Sequence, residues 1–338
     1  MDQSSKQEGK TAQSKAHIFF NGIISGDRVL LSKAITLIES TLETHQSIAK
    51  EVIEKSLPYS GKSIRIGITG APGAGKSTFI DSFGSFLTRI GKKVAVLAID
   101  PSSSKRKGSI LGDKTRMETL STNPAAFIRP SPSAGSLGGV AKTTRESIIL
   151  CEAAGFDIII VETVGVGQSE TAVHSMVDFF LLIMIAGAGD ELQGIKRGII
   201  EMADAIVINK ADGDNILKVK AARAEFAHAL HLFPPSESGW IPRVETCSAI
   251  TNSGIENIWK IIEEYYRATI SKGYFELNRQ EQSIYWMYDT IAENLKSSFF
   301  KHPKIQPVLP EYEKKVKEKL ISSYSAASEL LERFKKNK

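Results

Sequence analysis

The run Gly70-Ala71-Pro72-Gly73-Ala74-Gly75-Lys76-Ser77-Thr78 constrains this chain more than any other feature. It matches the G-x-x-x-x-G-K-[ST] phosphate loop in full, directly after the apolar run 64–69 and at the start of a helical pattern. Glycines let the backbone pass close enough to a phosphate for its N–H groups to point at the oxygens, and the helix beginning near Lys76 adds the positive end of its dipole. Lys76 is placed to bridge the β- and γ-phosphates, a catalytic position, and the Ser77 hydroxyl to take one place on Mg²⁺. Even with 26 glycines in 338 residues, chance matches number on the order of a few hundredths per chain.

Around this loop, apolar runs alternate with helix-length segments. Residues 64–69, 94–99, 158–162, 179–185, 205–209 and 244–247 read as strands that are apolar at nearly every position, as burial on both faces of a parallel sheet requires. The expected class is therefore α/β: a P-loop NTPase with a mostly parallel, doubly wound sheet, flanked by N-terminal and C-terminal helical extensions. Residues 1–16 read as a disordered tail and 17–60 as the N-terminal helical extension, in which Asp27 is a candidate N-cap. Pro58, Ser60 and Gly61 mark the junction to a nucleotide domain at 61–272. Residues 273–338 form a C-terminal helical arm for dimerisation, and helices are expected at 255–271, 277–300 and 311–335. The last of these sets Tyr312, Val316, Leu320, Tyr324, Ala327, Leu331 and Phe334 along one stripe. Such a stripe is covered either by its own domain or by a second copy of the chain.

The base is read elsewhere. Asn209-Lys210-Ala211-Asp212 follows a buried strand, and a carboxylate there accepts from both N1–H and the exocyclic amine of guanine. Adenine offers no such pair of donors, and leaving Asp212 unpaired costs a few kcal/mol. Lys210 lies across the base plane, and Ser248 with Ala249 completes the pocket through backbone donors. Asp100 and Glu162 end the second and third of the expected strands and bring carboxylates to the phosphate edge, where Mg²⁺ and its waters need them. Gly165 can give an N–H to the γ-phosphate. In the polar loop 108–117, Asp113 is either a metal-side catalytic residue or a solvated loop residue. GTPases of the Ras type place Gln directly after the DxxG glycine to orient the attacking water; here Val166 stands there and the nearest amide is Gln168. Intrinsic hydrolysis is therefore expected to be slow and accelerated by a partner that orders the loops. His228 and His231, three apart on a helix, read as a surface face rather than a metal pair.

Composition excludes little but does so cleanly. A net charge of +5, spread along the chain, gives no footprint for nucleic acid. The longest apolar run, 179–188, is about half of what a bilayer demands, and the polar N-terminal stretch lacks a secretory core. Cys151 and Cys247 make no CxxC pair and read as reduced thiols. No membrane partner and a cytoplasmic location are expected.

The phosphate loop, VLAIDPSS, GSILGDKTRM, VETVGVGQSE, AGAGDELQGIKRGI and NKAD together resemble the methylmalonyl-CoA mutase-associated GTPases of the MeaB type, many relatives of which carry an older label as arginine/ornithine (LAO/AO) transport ATPases. The resemblance implies a GTPase, usually a homodimer, that guards an adenosylcobalamin-dependent acyl-CoA mutase and gates cofactor loading. It implies that 70–78 hold phosphates, that Ser77, Asp100 and Glu162 serve Mg²⁺, and that Asn209, Lys210 and Asp212 read guanine. Gln193 and Lys196 match the family's additional switch, implied to contact the mutase; the residues by themselves read equally as the basic face of a helix start. The competing expectation is a nucleotide-dependent kinase or ATPase coupled to arginine/ornithine transport.

Overall fold

The computed structural model describes residues 15–99, 117–130, 137–163, 169–187, 197–231, 233–234 and 236–336. The chain divides into two compact units, residues 1–279 and 280–338.

In the first unit, β1 (Ile64–Gly70), β2 (Val94–Ile99), β3 (Ala126–Arg129), β4 (Ile158–Thr163), β5 (Phe179–Ile185), β6 (Ala205–Asn209) and β7 (Arg243–Thr246) form one sheet. Its order is β3-β2-β4-β1-β5-β6-β7 and every pairing is parallel. β2, β3 and β4 thus lie to one side of β1, and β5, β6 and β7 to the other. This reversal of strand order leaves a crevice at the carboxyl edge, where open α/β sheets hold their ligands. The strands are Ile- and Val-rich because side chains on both faces are buried; β4, IIIVET, is buried at all six positions.

Helices cover both faces. In chain order the helices of the described residues are α1 (15–24), α2 (Arg28–Glu39), α3 (Glu43–Ser56), α4 (Lys76–Arg89), α5 (Glu118–Thr122), α6 (Leu137–Ala153), α7 (Ser169–His174), α8 (Arg197–Met202), α9 (Ile216–Leu230), α10 (Ile255–Ser271), α11 (Tyr274–Phe300) and, in the second unit, α12 (Leu309–Lys317) and α13 (Ser323–Lys335). On one face α4 sets Phe79, Phe83 and Leu87, all fully buried, against the sheet beside Trp259 and Ile262 of α10. On the other, Val219 and Phe226 of α9 pack with Leu182, Met184, Ile206 and Ile208. At the N-terminus, Asp27 caps α2 as expected, accepting from the backbone N–H of Val29 and Leu30 at 2.8 and 3.0 Å.

The expectations and the structure differ at two points. β3 was not foreseen. It is a four-residue edge strand between Pro124 and Pro130 that pairs only with β2, so it lacks the long apolar run that two-sided pairing imposes. Its Arg129 forks onto Glu39 and reaches Ser32 and Thr36 at 3.3 and 3.2 Å, so that α2 covers an edge open to further pairing. The helix expected over 311–335 is two helices: Lys319 turns left-handed at φ 58°, and Ser322 starts α13 by accepting from Ser325 N–H at 3.0 Å. The supposed continuous stripe is broken there, with Leu320 and Tyr324 exposed.

A buried ionic cluster locks the amino edge of the sheet. Arg279, 9% exposed, donates from Nε and Nη2 to Asp178 at 2.8 and 2.7 Å and from Nη1 and Nη2 to the carbonyls of Gly61 and Ser63. Arg65 makes a two-pronged bond to Glu152 at 2.9 Å on each arm. Removing one partner leaves a buried charge unanswered. Arg279→Ala is expected to cost about 3–5 kcal/mol, read as a shift of the urea unfolding midpoint; a loss under about 1 kcal/mol would show that the cluster carries no such weight.

Candidate nucleotide site

The phosphate loop leaves β1 through two glycines that no other residue can replace without strain. Gly70 has φ +151°, and a Cβ there would sit 2.1 Å from the carbonyl oxygen of Ile183 on β5. Gly75, at φ +85°, starts α4, and its Cβ would meet Asn209 Nδ2 at 2.7 Å. Both contacts draw the loop tightly onto neighbouring strands, so that its N–H groups and the start of α4 face the carboxyl edge.

Lys76 lies at the first position of α4, 9% exposed, and donates to the carbonyls of Gly70 and Ala71 at 2.7 and 3.2 Å. Burial pushes its ammonium below the ordinary lysine range, while Glu162 and Glu170 pull it back up. Ser77 Oγ donates to Glu162 Oε1 at 3.1 Å, which joins the end of the loop to the end of β4. Beside them Thr163 Oγ1 donates to Thr69 Oγ1 at 2.8 Å and ties β4 to β1. Two oxygen donors at the mouth of a phosphate loop suit Mg²⁺, which takes few protein ligands and completes its shell with phosphate oxygens and water.

The loop after β6, which carries the NKAD run, is tied to the phosphate loop directly. Asn209, 2% exposed at the end of β6, donates from Nδ2 to the Ala74 carbonyl at 2.9 Å. Its Oδ1 accepts from Ala249 N–H at 3.2 Å and from the Cys247 thiol at 3.4 Å. Asn209 is therefore a bracket between loops. Lys210 adopts φ 61°, left-handed for a non-glycine residue, which turns the chain so that the next residues face the pocket. The hydroxyl of the fully buried Ser248 donates to Asp212 Oδ2 and accepts from Thr251 N–H at 3.2 Å. Ser248 thus contributes its side chain as well as its backbone, by orienting the Asp212 carboxylate.

The structure brings together Gly70, Ala71, Pro72, Gly73, Ala74, Gly75, Lys76, Ser77 and Thr78 with Glu162, Asn209, Lys210, Asp212, Ser248 and Ala249 at one edge. Asp100, Asp113, Gly165, Gln168, Gln193 and Lys196 lie outside the described residues. His228 and His231 are exposed, and among the described residues no group of three His, Cys, Asp or Glu side chains is gathered for a metal ion. Two contributors went unremarked in the sequence. Glu170 is buried at the start of α7 and adds negative charge near Lys76; it closes the VETVGVGQSE run, where its helical position was the available signal. Cys247 supports Asn209, and burial followed by the nearby Asp212 charge pushes its thiol up to about 12, so it acts here as packing rather than as a nucleophile.

The wholly parallel sheet, the phosphate loop at its switch point and the NKxD carboxylate define a P-loop GTPase that binds guanine nucleotide. The family model described as "Methylmalonyl Co-A mutase-associated GTPase MeaB" matches residues 31–304. The chain belongs to that family. It is 48% identical over 312 residues to a putative GTPase of Caulobacter vibrioides, covering 92% of this chain and 95% of that one. It is 46% identical over 326 residues to the mitochondrial methylmalonic aciduria type A homolog of Mus musculus, covering 94% of this chain and 79% of that one. A crystal structure described as LAO/AO transport system kinase superposes with TM-score 0.76 at 39% identity, over 95% of this chain and 98% of that one.

If Asp212 is the base reader, Asp212→Asn loses one acceptor and gains a donor that faces the guanine amine. GTP affinity is expected to fall on the order of 100-fold, with XTP gaining, since xanthine presents a carbonyl at that position. Competition with a fluorescent GDP analogue checks this, and unchanged GTP affinity would remove Asp212 from the base pocket.

Proposed function

We propose that this GTPase binds and hydrolyses GTP with Mg²⁺ and serves as chaperone and regulator of an adenosylcobalamin-dependent acyl-CoA mutase of the methylmalonyl-CoA mutase type, gating and protecting its cofactor site. The nucleotide half rests on the bond from Asn209 to Ala74 at 2.9 Å, which joins purine and phosphate loops into one receptor. The mutase half is supported by the family's description and by the mouse relative's name.

In this reading Lys76 neutralises the β- and γ-phosphates, Gly165 gives an N–H to the γ-phosphate, and Ser77, Glu162 and Asp100 hold Mg²⁺, which when bound offsets charge on the phosphate oxygens. Asp113 and Gln168 act on the side of the attacking water. Because Val166 occupies the place of the usual glutamine, turnover waits on loop ordering by the partner. Gln193 and Lys196 report nucleotide state to the mutase. A mutase differing in affinity for the two nucleotide states is what makes such a switch work. The two thiols, both free and buried, suit a reducing compartment such as the cytoplasm. Among the described residues no helix is long and apolar enough to cross a membrane.

The test is co-purification with methylmalonyl-CoA mutase in GDP and in a non-hydrolysable GTP analogue. Retention is expected to differ between the two states, and Lys76→Ala to abolish the difference along with nucleotide binding. Equal retention in both states overturns the switch and leaves nucleotide binding standing. The second reading, a kinase or ATPase coupled to arginine/ornithine transport, draws on the description of the LAO/AO structure. ATP displacing bound GDP as well as GTP does would favour it.

A second copy of the chain is assigned to the C-terminal unit. There α11, α12 and α13 enclose an apolar groove of about 840 Å³ lined by Leu295, Phe299, Leu309, Val316, Leu330 and Leu331, with Leu331 half exposed. Apolar surface of this kind is expected to be covered in a homodimer. Leu331→Glu should shift sedimentation from dimer to monomer without changing GDP binding, and an unshifted profile would assign the groove another occupant.

A further inference from the structure

The turn that follows β7 is closed on itself around Ser248. Ser248 N–H donates to the Ser253 carbonyl at 3.0 Å, Ser253 N–H returns to the Ser248 carbonyl at 3.2 Å, and Thr251 N–H reaches the Ser248 hydroxyl at 3.2 Å. Gly254, at φ +79°, passes so close to the end of β7 that a Cβ there would sit 2.4 Å from the Thr246 carbonyl oxygen. These contacts give the turn its shape. They do not fix where it stands against the phosphate loop, because each lies within the turn or at the end of β7.

Side-chain bonds carry the turn across to the phosphate loop. Ala249 N–H donates to Asn209, which in turn holds Ala74. Asn252, placed between the two residues that bond to Ser248, reaches further: Ser82 Oγ donates to its Oδ1 at 2.5 Å, across 170 residues of sequence. Ser82 is 8% exposed and belongs to α4, the helix that opens with Lys76 and Ser77. It stands little more than one helical turn beyond Ser77. The bond therefore joins the helix that carries the phosphate loop to the turn whose Ser248 hydroxyl orients Asp212.

Backbone geometry at Asn252 leaves this side-chain bond unexplained. Its φ of 58° is left-handed, which asparagine tolerates better than most residues and glycine better still. A residue serving the turn through its φ alone needs no partner on α4. A nucleotide whose phosphates are seated, by contrast, needs the Asp212 carboxylate within reach of the guanine N1–H and amine, and hydrogen bonds weaken steeply with misalignment.

We infer that the Ser82–Asn252 bond is a specificity-determining contact, which sets the Ser248 hydroxyl, and through it the Asp212 carboxylate, at the distance from the phosphate loop that a guanine nucleotide spans. This rests on the reading of Asp212 as the residue that meets the base. Ser82 and Asn252 are positioning residues that act through Ser248. Without their bond the turn keeps its internal contacts but is held less firmly against α4, and the loss falls on the base rather than on the phosphates.

The experiment measures Kd for GDP, inosine diphosphate and pyrophosphate by competition with a fluorescent GDP analogue, using the full chain. Inosine lacks the exocyclic amine, so the preference for GDP over inosine diphosphate reports how well Asp212 is aligned, and a ratio of this kind does not change with the fraction of protein folded. Pyrophosphate reports the phosphate loop alone. Asn252→Gly keeps the left-handed backbone and removes the acceptor, Ser82→Ala removes the donor, and Asn252→Asp keeps an acceptor. Asn252→Gly and Ser82→Ala are each expected to lower GDP affinity and the preference over inosine diphosphate about fivefold, with pyrophosphate unchanged. The double variant should lose no more than either single one, and Asn252→Asp should stay close to wild type. Wild-type preference in both single variants, equal losses for all three ligands, or additive losses in the double variant would each overturn the inference. Asp212→Asn, measured alongside, separates the two failures. If it loses guanine affinity while the single variants keep the wild-type preference, only the role of the Ser82–Asn252 bond falls; if it too behaves as wild type, the reading of Asp212 falls with it.

Discussion

Central placement of β1 governs the rest of this molecule. With β4 paired on one side and β5 on the other, its backbone is saturated and its side chains are buried on both faces. The chain can therefore offer polar chemistry only where the strands end. Gly70 makes this concrete: its carbon lies so close to Ile183 that a methyl group would overlap the carbonyl, and the loop that follows takes its path from that contact. Among the described residues, the phosphate loop, Glu162 and Asn209 lie at the carboxyl ends of β1, β4 and β6, and Ser248 lies in the loop that follows β7.

The two edges of the sheet solve opposite electrostatic problems. At the carboxyl edge the partial positive charge of N–H groups, the α4 dipole and a buried lysine accumulate, and an anionic ligand answers them. Burial lowers Lys76 and the charges of Glu162 and Glu170 oppose that, so the site sets lysine and carboxylates at close range. At the amino edge the carboxylates of Asp157, Asp178 and Asp204 satisfy strand N–H groups, and negative charge accumulates instead. Arg279 answers one of these; nothing of the same kind among the described residues answers Asp204. One architectural rule, parallel strands with all N-termini together, thus gathers N–H groups and a helix start at one rim and carboxylates at the other.

Much of this was legible beforehand because burial from both faces writes itself into composition. β2, β5 and β6 were recognisable to the residue from unbroken apolar runs, and Asp27 as a cap from its place before a periodic segment. β3 was hidden because an edge strand of four residues needs neither length nor an apolar run. The break at 318–322 was hidden because the apolar spacing of Tyr312, Val316, Leu320 and Tyr324 is what a continuous helix would show, while the left-handed Lys319 carries no sequence mark. Glu170 and Cys247 escaped notice since their roles are relations to Lys76 and Asn209, residues far away along the chain.

By itself the sequence determined which chemistry this protein carries: a phosphate loop between strand and helix, and a carboxylate suited to guanine. These are local matters, settled by glycine geometry, dipoles and donor patterns within a few neighbouring residues. Only the tertiary structure decided that Asn209 braces Ala74, that Ser248 aims Asp212, and that Arg279 grips Asp178. Such pairings depend on strand order and on how closely strands approach, and no span of sequence contains both partners.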